Sequence, residues 1–339
     1  MSMDRTDRTL YQLADAEMRA CIAAYLLLAE ETNGLSNITK KSLTDGRKRT
    51  ILLAGLGVTS LELSAADAVE EWKRRQAIPF DIETGVSFSV YRNIRAKGLE
   101  LLDQLEVFTD GFRTFDAVMI YQKPYFLPIL QHLAGVFSKS NLKKVIGSAS
   151  DTSISKPAAQ RLADYLTERV KAASVNKGEI LQRLESTLEG IVRDLVGRVL
   201  LEPIVASAFE KRGIPFERED QYPSLSGVVY DFRADFVLPD HRSPKAFIEV
   251  RKSSSRHASL YAKDKMFSAI NWKGKRKDML AILVVDGDWT GETLRVMAKV
   301  FDYVVPISRI PDLVETVDAY LAGDSTKLKW LIEFRIDPA

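Results

Sequence analysis

Residues 228–277 constrain the fold of this chain more than any other stretch. They contain two short segments with the pattern of β-strands, followed directly by a strongly basic segment. Successive side chains of a strand point to opposite faces, so a period of two separates apolar from charged positions. In the first segment the apolar face consists of Phe232, Ala234, Phe236 and Leu238, and the charged face of Asp231, Arg233 and Asp235. In the second segment the apolar face consists of Ala246, Ile248 and Val250, and the opposite face of Phe247, Glu249 and Arg251.

A turn joins these two segments, because Pro239, Asp240 and Pro244 lie between them. Adjacent strands with a common apolar side would bring Asp235 and Glu249 together on the other side. Two neighbouring carboxylates repel each other unless a cation lies between them. Hard divalent cations such as Mg²⁺ prefer oxygen ligands of this kind, and a bound metal can stabilise a phosphoryl group and activate water. The pattern therefore predicts a magnesium site held by both carboxylates.

Asp235, followed fourteen positions later by Glu249-Val250-Arg251, resembles the metal motif of the PD-(D/E)xK nuclease superfamily. The order of predicted elements is similar as well: a long helix over 178–212, a strand near 215–219, the two carboxylate strands, a helix over 257–272 and a buried strand over 280–285. The resemblance covers roughly 178–310, and within the superfamily it is closest in style to a type II restriction endonuclease.

This resemblance implies an α/β fold with a mixed central sheet flanked by helices, behind a mainly helical N-terminal domain. It implies a restriction endonuclease, that is, a hydrolase that requires Mg²⁺ and cleaves the phosphodiester bonds of double-stranded DNA at specific sequences. It also implies a homodimer, since a two-fold symmetric protein matches a palindromic DNA site.

The sequence departs from the motif at one position, where the family usually carries Lys. Arg251 stands there, and Lys252 comes next. Arginine is a poor proton donor or acceptor, although it can bind a phosphate or polarise water. Lys252 points to the opposite face of a regular strand unless a bulge turns it. Lys263 or Lys265 of the following helix could fill the role instead, and the expected catalytic set is Asp235, Glu249, Arg251 and Lys252.

The basic segment is the second functional signal. Residues 241–280 contain eleven Lys or Arg and three Asp or Glu, a local charge of +8 in a chain with a net charge of +2. Such a patch beside a carboxylate pair favours nucleic-acid binding, although a solvated helix face has the same composition. The predicted DNA-binding residues are Arg256, His257, Lys263, Lys265, Lys273, Lys275, Arg276 and Lys277. Residues 272–277 are expected to form an exposed basic loop.

The rest of the chain reads as mostly helical up to a small, polar linker at 147–155. Residues 7–32 carry a broad apolar stripe at helical spacing, 81–90 read as extended, and 91–105 as a helix. We therefore expect a helical domain over 1–150, for DNA recognition or dimerisation, and a nuclease domain over 155–339.

One cysteine, Cys21, excludes an intramolecular disulfide and a thiolate zinc cluster, which suits a reducing, prokaryotic-type cytoplasm. Residues 1–9 are polar and carry both signs of charge, unlike a secretory signal. The apolar run 22–29 is too short to cross a membrane, so no membrane association is expected.

Three alternatives to a restriction enzyme remain open. A nuclease of the same superfamily could act in repair or on DNA junctions without a fixed sequence. A decayed nuclease domain, suggested by Arg251, could bind DNA without cleaving it. The N-terminal helices could also form a protein-interaction module, which would make the basic segment incidental.

Overall fold

The structure is a computed structural model that describes residues 8–136, 138–148, 150–172, 176–196, 200–253, 258–287 and 289–332. The α-helices in these ranges are α1 (Leu10–Glu31), α2 (Gly46–Gly55), α3 (Ala65–Arg74), α4 (Ile82–Phe108), α5 (Ala117–Gln122), α6 (Leu127–Leu133), α7 (Lys139–Ile146), α8 (Lys156–Ala172), α9 (Lys177–Leu195), α10 (Leu201–Arg212), α11 (Ala258–Lys275), α12 (Gly291–Met297) and α13 (Ile310–Leu321). The strands are β1 (Glu217–Arg218), β2 (Phe236–Leu238), β3 (Ala246–Ser253), β4 (Leu280–Gly287) and β5 (Tyr303–Pro306). None of the helices in the described ranges is both long and apolar enough to span a lipid bilayer.

The chain divides into two compact units, and each unit combines two separate segments of the sequence. The first unit contains Met1–Cys21 and Ile82–Arg198, and the second contains Ile22–Asp81 and Val199–Ala339. The sequence predicts a single boundary between 150 and 155, whereas this grouping adds residues 22–81 to the C-terminal part and places 155–198 in the first unit. A buried cluster explains why 22–81 form one body, since Leu28 of α1 packs with Leu52 of α2 and Val69 of α3.

The first unit is built from helices in its described residues. Helix α4 packs along α9, where Gly98 allows close approach: an added Cβ would lie 3.3 Å from Leu184. The predicted extended segment over 81–90 is wrong, because α4 begins at Ile82. Its apolar side chains repeat every four residues, and Ile82, Val86 and Val90 are all fully buried. The helical period therefore extends further towards the N-terminus than the sequence analysis assumed.

The second unit contains a five-stranded mixed sheet in the order β1-β2-β3-β4-β5. Strands β1, β2 and β3 are antiparallel neighbours, while β3, β4 and β5 run parallel. Parallel strands need a crossover connection, and the crossover from β3 to β4 contains α11. The expected fold class, a mixed sheet flanked by helices with a helical N-terminal region, is confirmed.

Helices cover the sheet on both faces, so β3 is buried on both sides along most of its length. On one face Trp272 of α11 meets the ring of Phe247 edge-on, with 4.6 Å between ring centroids. On the other face Phe236 packs against Phe216, with 5.6 Å between centroids. The predicted exposed loop over 272–277 is wrong, because α11 continues to Lys275 and Trp272 is fully buried. The indole ring is part of the core beneath the sheet.

Candidate functional site

Strand pairing brings Asp235 next to Glu249. Phe236 pairs with Ile248 in the antiparallel ladder, so the preceding residue, Asp235, lies opposite Glu249. The Val250 N–H donates a 2.7 Å hydrogen bond to Asp235 Oδ2, which fixes this carboxylate against β3. Both side chains lie on the sheet face that α11 covers.

Tyr222 holds the backbone directly before Asp235. Its hydroxyl donates to the Ala234 carbonyl at 2.9 Å and accepts from the Ala234 N–H at 2.5 Å. These two bonds replace a strand partner at a point where the ladder of β2 has not yet begun. Tyr222 is a positioning residue that the sequence analysis missed, because no local pattern connects it to a carboxylate thirteen residues later.

Glu249 is completely buried and receives two cations on one oxygen. Lys265 Nζ lies 3.0 Å from Glu249 Oε2, and Arg251 Nη2 lies 2.9 Å from the same atom. The other oxygen, Oε1, has no hydrogen-bond partner among the described residues. Burial, together with the charge of Asp235, raises the pKa of Glu249 to about 7 against the opposing effect of Lys265 and Arg251.

Arg251 bridges the two carboxylates. Its Nη1 lies 2.7 Å from Asp235 Oδ2, while Nη2 contacts Glu249. About a quarter of the Arg251 side chain is exposed, against 7% for Asp235 and none for Glu249. The guanidinium therefore forms the solvent-facing side of the cluster that we name the carboxylate site, made of Asp235, Glu249, Arg251 and Lys265.

The structure distinguishes between Lys265 and Lys252 as candidates for the role of the usual motif lysine. Lys265 reaches Glu249 from α11, as one of the alternatives anticipated. Lys252 points away from the site, with its Nζ 3.6 Å from a carboxylate oxygen of Asp81. The side chain of Lys263 lies outside the described part of the structure, as do Arg256 and His257 altogether.

The basic residues at the end of α11 do not form one surface. The predicted DNA contact by Lys273 is wrong, because this side chain is fully buried and forms an ion pair with Asp302. Lys275, Arg276 and Lys277 are exposed, as a phosphate-binding role requires. Ten residues of helix separate Lys265 from Lys275, so these three cations begin about 15 Å along the axis from the carboxylate site.

The donor set of the carboxylate site fits a hard divalent cation. Asp235 and Glu249 supply carboxylate oxygens from paired strands, and Glu249 Oε1 is a buried acceptor without a partner in the described ranges. No group of three or more Asp, Glu, His or Cys side chains in those ranges could hold a metal alone. Mg²⁺ is commonly held by one or two carboxylates together with water and substrate oxygens, which is the type of coordination that two carboxylates can give.

Comparison with known proteins identifies no family for the chain. No family profile matches the sequence, and no curated protein matches it. Among solved structures, a complex of the restriction endonuclease PspGI with its substrate DNA is similar with a TM-score of 0.29 and 14% identity, over 60% of this chain and 86% of that chain.

Proposed function

We propose that this protein is a Mg²⁺-dependent endonuclease that hydrolyses phosphodiester bonds of double-stranded DNA at a specific sequence, as type II restriction enzymes do. The observation that carries the proposal is the carboxylate site itself. Asp235 and Glu249 meet on neighbouring strands, two cations contact them, and Glu249 keeps one buried oxygen without a partner in the described residues. A purely structural cluster at this position gains nothing from an unsatisfied buried acceptor.

In this proposal Asp235 and Glu249 hold the metal. A divalent cation held there would supply charge neutralisation at the scissile phosphate and activation of water. Lys265 stays on Glu249 Oε2 and keeps the other oxygen available as a ligand. The site needs no proton transfer by Arg251, whose guanidinium remains charged at any physiological pH.

Arg251 has a different role in the same proposal. Its guanidinium neutralises both carboxylates in the metal-free protein. A cation held by Asp235 and Glu249 would take over that neutralisation, which leaves the guanidinium available for a phosphate oxygen. Guanidinium groups match phosphate geometry with two parallel hydrogen bonds, so Arg251 suits the binding of the scissile phosphate.

Digestion of a large, sequenced and unmethylated DNA tests the proposal. Wild-type protein is incubated with Mg²⁺ or with EDTA beside Asp235→Ala, Glu249→Ala and the control Asp220→Ala, which removes an exposed carboxylate. We expect discrete fragments that require Mg²⁺, persist in the control and disappear in the two site variants. A smear with the same dependence would instead indicate a nuclease of the repair or junction type.

A non-catalytic DNA-binding protein is the second candidate, and one observation favours it. Arg251 already satisfies Asp235 and Glu249 as a counter-ion without any metal. In that case, DNA binding persists in EDTA and no tested DNA is cut in Mg²⁺. That result would contradict the nuclease proposal, provided that the DNA is long enough to contain every short site.

A further inference from the structure

An open cavity of about 800 Å³ lies in the second unit, away from the residues of the carboxylate site. It is formed where the parallel strands β3, β4 and β5 end, and Ser253, Gly287 and Pro306 contribute to its wall. In open α/β sheets the carboxyl ends of parallel strands are a common position for ligands. Residues of the segment 34–81 complete the wall from the other side.

The strand ends form a fixed boundary of this cavity. Gly287 has a φ of +81°, and a Cβ at this position would lie 2.4 Å from the carbonyl oxygen of Ser253. Only glycine permits this close approach of β3 and β4. The cavity therefore has a backbone rim whose shape does not depend on side-chain rotamers.

Three aromatic side chains line the cavity: Trp72, Phe80 and Trp289. Much of the remaining wall is aliphatic, including Leu56 and Ile78. Flat aromatic surfaces of this kind bind planar rings by stacking, which contributes more than burial of the same area alone. The apolar part of the wall thus selects a planar ligand over a flexible aliphatic one.

The polar part of the wall carries two acids and one base. Lys252 and Asp81 form an ion pair across the wall, with Nζ 3.6 Å from a carboxylate oxygen, while Asp286 contributes a second carboxylate and Ser253 a hydroxyl. The charged side chains of the lining therefore sum to one negative charge. Carboxylates accept hydrogen bonds from amino groups, whereas an additional phosphate would be repelled.

We propose that this cavity binds a neutral nucleobase-type heterocycle, presented as a nucleoside and not as a nucleotide. Trp72 and Trp289 stack on the ring, since Phe80 already stacks on Tyr25. Asp286 accepts from an exocyclic amine, and Lys252, beside Asp81, donates to a ring nitrogen. Adenosine has all three features: a planar ring, an amino group and ring acceptors. The proposal does not depend on the nuclease function, because it uses neither the carboxylate site nor DNA.

Calorimetric titration of the full chain in EDTA, without DNA, tests this site. The probes are adenosine, 2′-deoxyadenosine 5′-monophosphate and purine riboside, which lacks the amino group. We expect adenosine to bind with one site per chain and at least about 10-fold more tightly than purine riboside, since one lost hydrogen bond to a charged group has an effect of that size. We expect the monophosphate to bind more weakly than adenosine as well, because the negative lining repels its phosphate.

Two variants connect the binding to the cavity, and a third serves as the control. Trp72→Leu removes a stacking surface, and Asp286→Asn removes a charged acceptor while it leaves the core packing intact. We expect each to weaken adenosine binding by about 10-fold. Trp330→Leu removes an exposed tryptophan outside the cavity and should bind as wild type does.

Thermal melting of each variant shows that it is folded before it is titrated. Asp286→Asn keeps the test decisive if Trp72→Leu does not fold. The absence of adenosine binding, equal binding of the monophosphate, or wild-type affinity in a folded cavity variant would overturn the proposal.

Discussion

Asp302 and Glu249 are two buried carboxylates beneath α11 that differ in how many hydrogen-bond partners they have. Asp302 is saturated: Oδ2 accepts from the Ala281 N–H and Lys273, while Oδ1 accepts from the backbone N–H groups of Lys329 and Trp330. Glu249 is equally buried but keeps one oxygen without a partner in the described residues. Because a saturated carboxylate has no capacity for a further ligand, Asp302 is structural and Glu249 is the one suited to bind a metal.

Asp302→Ala should destabilise the protein strongly. It leaves the Lys273 ammonium buried without its counter-ion and three backbone N–H groups without this acceptor. Breaking a buried pair in this way costs about 3–5 kcal/mol. Urea denaturation measures the loss, and Asp220→Ala, an exposed site, should change stability by less than about 0.5 kcal/mol. A loss below about 1 kcal/mol for Asp302→Ala would show that Lys273 finds another partner.

Glu249 should make the stability of the metal-free protein dependent on pH. Its pKa is 4.5 in the unfolded chain and about 7 in the folded protein. Between these values the folded state binds more protons, so this contribution is fully present below pH 4.5 and is lost as the pH rises through 7. Relative to Glu249→Gln, the wild type should lose on the order of 3 kcal/mol over this range.

Urea denaturation in EDTA at several pH values between 4.5 and 8 measures that difference. The gap between wild type and Glu249→Gln should shift in favour of the variant as the pH rises and become constant about one pH unit above the folded-state pKa of about 7. A gap independent of pH would mean that Lys265 and Arg251 keep Glu249 ionised throughout.

Sequence reasoning located the carboxylates but could not distinguish the lysines. Lys265 and Lys273 lie on the same helix, both are buried, and each pairs with a different acid of the sheet. Those acids are 16 and 29 residues away in the sequence. The choice between a site lysine and a core lysine depends on how α11 lies over the strands, and local composition does not encode that placement.

At the scale of elements, the alternation of β3 does not separate buried from exposed positions. Phe247 and Glu249 lie on the face opposite the apolar set, yet both are completely buried. Strands with parallel neighbours are covered by helices on both faces, so polar residues there lie within the protein. Strand β2 is also shorter than expected, because its ladder begins only at Phe236, just after Asp235 of the carboxylate site.

The exposed end of α11 and the turn that follows should contribute to DNA affinity through charge alone. Replacing Lys275, Arg276 and Lys277 with Ala removes three exposed cations that suit phosphate contacts. The slope of log affinity against log salt concentration should fall by up to about 3, since each phosphate contact contributes about 0.9. Fluorescence anisotropy with a labelled duplex measures this slope.

A matched control comes from α7, where Lys139, Lys143 and Lys144 are also exposed. Their replacement with Ala removes the same charge from the other unit and should leave the slope nearly unchanged. An equal effect of the two triple variants would show that net charge, and not the location of the basic segment, governs binding.

At the scale of the whole molecule, the two units interrupt each other in the sequence. The boundary between them falls within α1, between Cys21 and Ile22, and again at Asp81 and Arg198. A linker can be recognised from its amino-acid composition. A boundary inside a helix that two units share cannot, because the helix has the same kind of composition on both sides of it. The polar segment 147–155 was therefore a reasonable candidate for a boundary, although the contacts group it within the first unit.

The proposed cleavage of both DNA strands predicts a homodimer. Sedimentation velocity should detect a particle of twice the 38.1 kDa chain mass, either alone or on a duplex that contains the cleaved site. A palindromic site requires two symmetric active sites, so a monomer on DNA should produce only nicks. A monomeric particle together with double-strand cuts would contradict a simple two-fold arrangement.

All four side chains of the carboxylate site come from the stretch between Asp235 and Lys265. The carboxylate site is thus encoded in one short, contiguous piece of the chain, and residues outside that piece, such as Tyr222, support it. Such a piece can be retained while the surrounding helices are exchanged, lengthened or lost. In the proposed nuclease, the residues that cleave DNA and the residues that recognise its sequence are therefore free to diverge at different rates.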